Sequence, residues 1–174
     1  MRKSEEKTLA VFYSFPGRKL SVREVARNAG LAAPTALEAI NSLAGKKLLK
    51  VVRGRASSQV SANLENPDFF CLKRLQNLRA LYACGLVQCL RDVFEEPECI
   101  VVFGSFSRGE DDSKSDADVA VVTGLLRDAD VKRFERKLGR RISLQSVKLE
   151  ECSKEFLNEL ANGVVLHGYL EAVK

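Results

Sequence analysis

Two short, fully apolar segments in the C-terminal half constrain the fold of this chain more than any other feature. Cys99–Phe103 and residues 119–122 contain no polar side chain, which is typical of strands buried on both faces of a sheet. Each segment borders a polar, turn-rich stretch. We therefore predict two buried strands in the C-terminal half, joined by a segment that is exposed to solvent.

The segment between these strands carries the residues with the most specific chemistry. The first strand ends at Gly104 and Ser105, where glycine lets the backbone approach a ligand, and a serine hydroxyl with free N–H groups can hold a phosphate. Arg108, one turn later, can reach the same anion or tie down the loop. Asp116 and Asp118 stand at the start of the second strand, and residues two apart in a strand point to the same face.

Two carboxylates placed side by side repel each other unless a cation lies between them. Mg²⁺ suits such a pair, because it prefers oxygen ligands and takes one or two carboxylates together with substrate phosphates. The residues alone therefore predict a magnesium site next to a phosphate-holding turn.

The pattern G-S-x-x-R-G followed by S-D-x-D, in residues 104–118, resembles the nucleotidyltransferase superfamily that includes DNA polymerase beta, poly(A) polymerase and aminoglycoside nucleotidyltransferases. The small size is most similar to the minimal nucleotidyltransferases of prokaryotes. The resemblance covers about residues 90–170. It implies a mixed sheet with flanking helices, and transfer of a nucleoside monophosphate from an NTP to an acceptor hydroxyl with Mg²⁺. It implies Asp116 and Asp118 as catalytic and metal-binding residues, and Gly104, Ser105, Arg108 and Ser115 as nucleotide-binding residues.

One position departs from the family pattern. The family usually supplies a third carboxylate from a following strand, and the matching strand here is Ile142–Val147. Ser143 occupies the aligned position, and Gln145 is its neighbour on the same face. Two interpretations stay open: an active Mg²⁺-dependent enzyme, or a transcriptional regulator whose impaired domain senses NTP without turnover. A third, implied by the family alone, is an antitoxin-type nucleotidyltransferase that acts on a partner toxin.

The first 66 residues predict a helix-turn-helix followed by a hairpin. Residues 21–24 form a capping box, Ser-Val-Arg-Glu, and the helix that it opens ends at Gly30. Pro34 suits the first turn of a second helix. Residues 46–53 and 59–64 predict two strands joined by a turn. This order resembles the winged helix-turn-helix of bacterial and archaeal transcription regulators.

Positive charge is concentrated in the same part of the chain. Residues 1–66 hold 12 Lys and Arg against 5 Asp and Glu, whereas residues 67–174 hold 16 against 18. This asymmetry indicates a nucleic-acid partner. We expect double-stranded DNA to contact Thr35, Asn41, Ser42, Lys46, Lys50, Arg53 and Arg55. Two alternatives are that these side chains are merely solvated or guard an edge strand, and that the winged helix serves dimerisation.

The residues between these two parts predict a helical connector. Asn66 and Pro67 mark a helix start, and Pro97 ends the segment. Its apolar stripe consists of Leu72, Leu75, Leu78, Tyr82, Leu86, Leu90 and Val93. The stripe either packs one domain on the other or pairs two subunits into a homodimer. We thus predict an α+β protein in three parts: a winged helix at 1–66, a connector at 67–97 and a nucleotidyltransferase domain at 98–174.

The composition of the chain argues against several other classes of protein. Five cysteines with one histidine and no C-x-x-C motif argue against a zinc finger and against a disulfide framework. No apolar run approaches the roughly 18 to 20 residues needed to span a bilayer, and the N-terminus lacks the apolar region of a signal peptide. We expect a cytoplasmic protein with no membrane association.

Overall fold

The computed structural model describes residues 1–54, 58–125 and 127–171. The chain divides into two compact units, residues 1–71 and 72–174, each with its own sheet. Helices and two separate sheets make the protein a mixed α+β structure, so the predicted fold class is confirmed at that level. None of the helices described is both long and apolar enough to cross a membrane.

The N-terminal unit contains three helices and a three-stranded antiparallel sheet of order β1-β3-β2. Its elements in chain order are α1 (Lys3–Ser14), β1 (Leu20–Ser21), α2 (Val22–Ala29), α3 (Ala33–Gly45), β2 (Leu49–Arg53) and β3 (Ser58–Ala62). The predicted capping box is present, since Ser21 and Glu24 exchange hydrogen bonds at the start of α2. Gly30 ends this helix with a φ of 59°, as predicted.

Side chains from all three helices and the sheet form the core of this unit. The fully buried apolar residues of α1 to α3 and the sheet are Leu9, Phe12, Val25, Ala36, Ile40, Leu43 and Val60. Leu37 of α3 is 45% exposed, whereas Ala36 and Ala39 of the same helix are buried. The helical period of 3.6 residues explains this, because positions 36, 39, 40 and 43 form one continuous stripe.

Two helices follow, α4 (Pro67–Cys84) and α5 (Leu86–Val93). They are separated at Gly85, whose φ is 86°. The predicted apolar stripe is wrong on α4, where Leu75 is 62% and Tyr82 is 52% exposed. The side chains that α4 buries within the C-terminal unit include Lys73 and Asn77. An apolar pattern cannot identify a buried face on which two of the residues are polar.

The C-terminal unit has a four-stranded sheet of order β6-β5-β4-β7, in which only β5 and β6 are parallel. Its further elements are β4 (Cys99–Phe103), α6 (Gly104–Arg108), β5 (Ala117–Val122), α7 (Lys132–Leu138), β6 (Ile142–Val147), a 3₁₀ turn (Leu149–Glu151), α8 (Lys154–Ala161) and β7 (Val164–Gly168). The two predicted buried strands are β4 and β5, and they pair with each other. The edge strand β7 was not predicted.

Two apolar clusters lie on opposite faces of this sheet. One face packs Ile100, Val119 and Val121 against residues of α5 and α7. The other packs Val101 and Ala120, with their same-face neighbours, against α8. Because side chains alternate along a strand, this division assigns every residue of β4 and β5 to one face or the other.

Candidate functional site

Asp118 lies near the start of β5, between two neighbouring strands. It is opposite Phe103 of β4 and beside Ser143 of β6. Asp118 shares the sheet face of Ala120, because the two are two residues apart, and this is the face that α8 covers. The predicted register of β6 is therefore correct: a hydroxyl, not a carboxylate, stands next to Asp118.

The turn after β4 brings the backbone against this carboxylate. Gly104 has a φ of 68°, and a Cβ atom there would lie 2.7 Å from Oδ2 of Asp118. A larger residue would strain the backbone and displace the carboxylate. The Ser105 side chain, at the first turn of α6, is partly exposed. The backbone of Gly104 thus lies against the carboxylate of Asp118, and its approach to a ligand stays a prediction.

Burial raises the pKa of the Asp118 carboxyl, and a hydrogen bond from Ser143 opposes that effect. The negative charges of Asp116 and Glu159 raise the pKa further. The charged form of Asp118 is therefore disfavoured in the protein alone, and a bound cation would favour it. Glu159 was not among the predicted site residues, because only the packing of α8 brings it to this end of the sheet.

The other two predicted nucleotide-binding residues have partners of their own. Arg108 donates from Nε to Oε2 of Glu110 at 2.7 Å, on the surface. Ser115 donates from its backbone N–H and its hydroxyl to Oδ1 of Asp112, at 3.0 and 3.1 Å. Ser115 therefore shapes the loop before β5, whereas Arg108 can exchange an exposed partner for another anion.

A buried ionic network fixes the same loop, and sequence reasoning missed it. Asp111 is 0% exposed, and its Oδ1 lies 2.7 Å from Nδ2 of Asn77 and 3.2 Å from Nζ of Lys73. Nη2 of Arg140 lies 2.9 Å from Oδ2 of Asp111. Lys73 also donates to the backbone carbonyl of Asp111. The loop from α6 to β5 is thereby tied to α4 and to the segment before β6.

The donor set at Asp116 and Asp118 fits a divalent cation. Carboxylate oxygens are the ligands that Mg²⁺ prefers, and it usually takes one or two of them and keeps several waters. Among residues 1–54, 58–125 and 127–171, no three His, Cys, Asp or Glu side chains stand close enough to hold a metal by themselves. The site thus offers two carboxylates and leaves the other coordination positions of the cation to water and substrate.

A separate cavity of about 370 Å³, lined by Glu98 and Val122 among others, lies at the opposite end of the sheet.

Four of the exposed residues predicted to contact DNA lie on α3 and β2. They are Thr35 and Asn41 on α3, and Lys50 and Arg53 on β2. Nζ of Lys50 lies 2.8 Å from a carboxylate oxygen of Glu65, in an exposed ion pair. Such a pair is weak in water, so the lysine remains available to another anion.

Two other predicted contacts are engaged within the unit. The hydroxyl of Ser42 and Nζ of Lys46 donate to Oε1 of Glu5, at 2.6 and 2.8 Å. The Glu5 residue is only 2% exposed. Ser42 and Lys46 therefore join α3 to α1, and their contact with DNA stays a prediction. Arg55 lies outside the described residues.

The Glu5 contacts predict a loss of stability in acid. Hydrogen bonds from Lys46, from Ser42 and from the backbone of Arg2 lower the pKa of Glu5 from 4.5 to about 2. The resulting stabilisation is complete above pH 4.5 and is lost as the pH falls through about 2. It amounts to about 3 kcal/mol. Urea unfolding at pH 7 and pH 2.5 should therefore show a much smaller pH effect in Glu5→Gln than in wild type.

The matched control for this experiment is Glu6→Gln, because Glu6 is the exposed neighbour. It should keep the pH dependence of the wild type. Equal pH dependence in Glu5→Gln and wild type would contradict the assignment of the stabilisation to this carboxylate.

Comparison with known families bears on the C-terminal unit. Residues 86–169 match the family model described as "Polymerase beta, Nucleotidyltransferase". A comparison of the chain with curated proteins finds no match. The match spans β4 to β7 and includes Gly104, Asp116 and Asp118, so the nucleotidyltransferase part of the predicted resemblance is confirmed. The C-terminal unit is therefore similar to the polymerase beta nucleotidyltransferases, which supports nucleotidyl transfer as its general function.

Proposed function

We propose that the C-terminal unit transfers a nucleoside monophosphate from an NTP to an acceptor hydroxyl, with Mg²⁺ held by Asp116 and Asp118. The observation that carries the proposal is the contact between the Gly104 turn and Asp118. It places a backbone with no side chain beside a partly buried carboxylate. A polyphosphate with its metal needs negative charge for the cation close to a turn whose backbone can approach the phosphates.

Different residues of the chain would bind the metal and the phosphates. Asp116 and Asp118 would hold Mg²⁺, which, when bound, neutralises the triphosphate and polarises the α-phosphate. Ser105 and Arg108 lie next to the Gly104 turn and would bind phosphate oxygens, Arg108 by leaving Glu110. In the reaction the acceptor oxygen bonds to the α-phosphorus while the bond to the pyrophosphate oxygen breaks. The acceptor proton passes to solvent through the carboxylates of the site.

The test is transfer of label from each α-labelled NTP, with Mg²⁺ or with EDTA. The acceptors offered are the protein itself, duplex DNA and total RNA, and NTP binding is measured in parallel by calorimetry. We expect Mg²⁺-dependent NTP binding, and labelling of one acceptor that EDTA abolishes. Absence of NTP binding with and without Mg²⁺ would overturn the proposal.

The structure also favours a second candidate function, in which the domain binds NTP as a signal without turnover. The supporting observation is Ser143, an uncharged side chain directly beside Asp118. Binding without transfer to any acceptor would favour this regulator. Labelling that appears only when a partner protein is added would instead favour the antitoxin interpretation, with the partner as acceptor.

We also propose that the N-terminal unit is a winged helix-turn-helix that binds double-stranded DNA. Supporting it are the order of three helices followed by a hairpin and the strand order β1-β3-β2. Thr35 and Asn41 are exposed on α3, the helix that would enter the major groove. Lys50 and Arg53 are exposed on the first strand of the hairpin, where they suit phosphate contacts.

Charge reversal on this strand should weaken DNA binding. In the double variant Lys50→Glu with Arg53→Glu, affinity for duplex DNA should fall at least about tenfold at low salt, with a shallower salt dependence, because fewer counterions are released. Fluorescence anisotropy with labelled duplexes of several sequences measures both effects. Arg136→Glu, at an exposed position of α7 in the other unit, is the control and should bind as wild type. Unchanged affinity in the double variant would exclude the wing as the contact surface.

A further inference from the structure

Glu159 lies on the helix that covers the Asp118 face of the sheet. The next residue, Leu160, is buried in the cluster that contains Phe103. The rings of Phe156 and Phe103 are 5.4 Å apart in an edge-on arrangement. Because Phe103 is directly opposite Asp118 in the strand pair, α8 is anchored beside the carboxylate site.

The path of the chain also brings the last turn of α8 to this end of the sheet. A Cβ atom at Gly163 would lie 2.7 Å from the carbonyl oxygen of Val102. Val164, the first residue of β7, pairs with Val102. The end of α8 is therefore next to the end of β4, where the Gly104 turn begins, and the exposed Glu159 carboxylate is accessible to water.

Two groups of the site lie within electrostatic reach of Glu159. One is Asp118, whose carboxylate shares the sheet face that α8 covers. The other is Arg108, which follows the Gly104 turn and pairs with Glu110. The charge of Glu159 therefore acts on two residues of the predicted site.

We infer that Glu159 supplies the third carboxylate of the metal site, from the helix above the sheet instead of from the strand position that Ser143 occupies. This inference rests on the proposed function. Because no three acidic side chains stand within joint reach of one ion in the part of the chain that the structure describes, Glu159 acts through water on the metal. Its charge adds to the affinity for the cation without requiring a direct bond.

The test is binding of Mn²⁺ to the nucleotide-free full chain, followed by electron paramagnetic resonance. Glu159→Gln should weaken Mn²⁺ binding about 10- to 100-fold, which is the usual loss when a group that orients the ligands of a metal is removed. Ser143→Asp in the Glu159→Gln background should restore much of the affinity, because it returns a carboxylate to the site from the strand. Glu151→Gln removes an exposed carboxylate shortly before α8 and should bind as wild type.

Asp116→Asn separates failure of this inference from failure of the proposed function. If Asp116→Asn abolishes Mn²⁺ binding while Glu159→Gln leaves it unchanged, the inference is wrong and the proposed site stands. If Asp116→Asn has no effect, the proposed site itself is wrong.

Arg108 provides a further check, because Glu159 could serve only to hold that guanidinium. In that case Glu159→Gln would have no effect on Mn²⁺ binding once Arg108 is changed to Gln. We expect the effect to persist in the Arg108→Gln background. Its disappearance there would make Glu159 a partner of Arg108 alone and overturn the inference.

Discussion

Asp118→Asn is expected to reduce nucleotide transfer by at least about 10²-fold, and up to about 10⁴-fold. The amide keeps the shape of the side chain but loses the charge that would hold the cation next to the Gly104 turn. Stability at pH 7 should stay the same or rise slightly, because burial and the charges of Asp116 and Glu159 disfavour the ionised carboxyl in the free protein. Transfer rates and urea unfolding curves of the same preparation measure both effects.

The control is Asp128→Asn, which removes an exposed carboxylate in the segment before α7. It should leave both transfer and stability unchanged. Loss of transfer in Asp118→Asn together with a large loss of stability would contradict this account, since the residue would then support the fold. Wild-type transfer in Asp118→Asn would show that the metal is held elsewhere.

The core of the site was predictable because its residues are close together in sequence or are fixed by strand periodicity. Two buried strands and an alternating pair of aspartates place Asp116 and Asp118 at a strand start, and the parallel neighbour places Ser143 beside Asp118. The N-terminal helices were predictable for a similar reason, since Ser21 and Gly30 mark the ends of α2 through local hydrogen bonds and backbone conformation. Each of these signals is contained within about one helix or strand.

The remaining site residues depend on contacts between distant segments. Glu159 reaches the site only because α8 packs on β4, and nothing in its local sequence separates it from other surface glutamates. Lys73 and Asn77 gave no signal of burial, since apolar periodicity assigns polar residues to water. Their partner Asp111 is more than thirty residues away, and its neighbours Glu110 and Asp112 are exposed.

Asp111→Ala is expected to destabilise the protein by about 3 to 5 kcal/mol, because it leaves Lys73 buried without its counter-charge. Lys73 is 1% exposed, and burial already lowers the pKa of its amine while Asp111 opposes that shift. Arg140 would lose the same partner. Urea unfolding of the full chain at pH 7 measures the change. The control is Glu110→Ala, which breaks the exposed pair with Arg108. It should lower the free energy of unfolding by no more than about 1 kcal/mol.

Lys73→Met together with Asp111→Asn tests whether the loss comes from the unpaired charge. Methionine fills a similar volume without charge, and asparagine can still accept a hydrogen bond from Asn77, so the double variant should be more stable than Asp111→Ala. If it is equally unstable, shape and hydrogen bonding, not charge, hold the loop.

Since this loop leads directly into Asp116, weakening the network should also reduce Mg²⁺-dependent NTP binding at urea concentrations well below those that unfold the whole protein. The geometry of the two aspartates would then depend on the buried pair of Lys73 and Asp111.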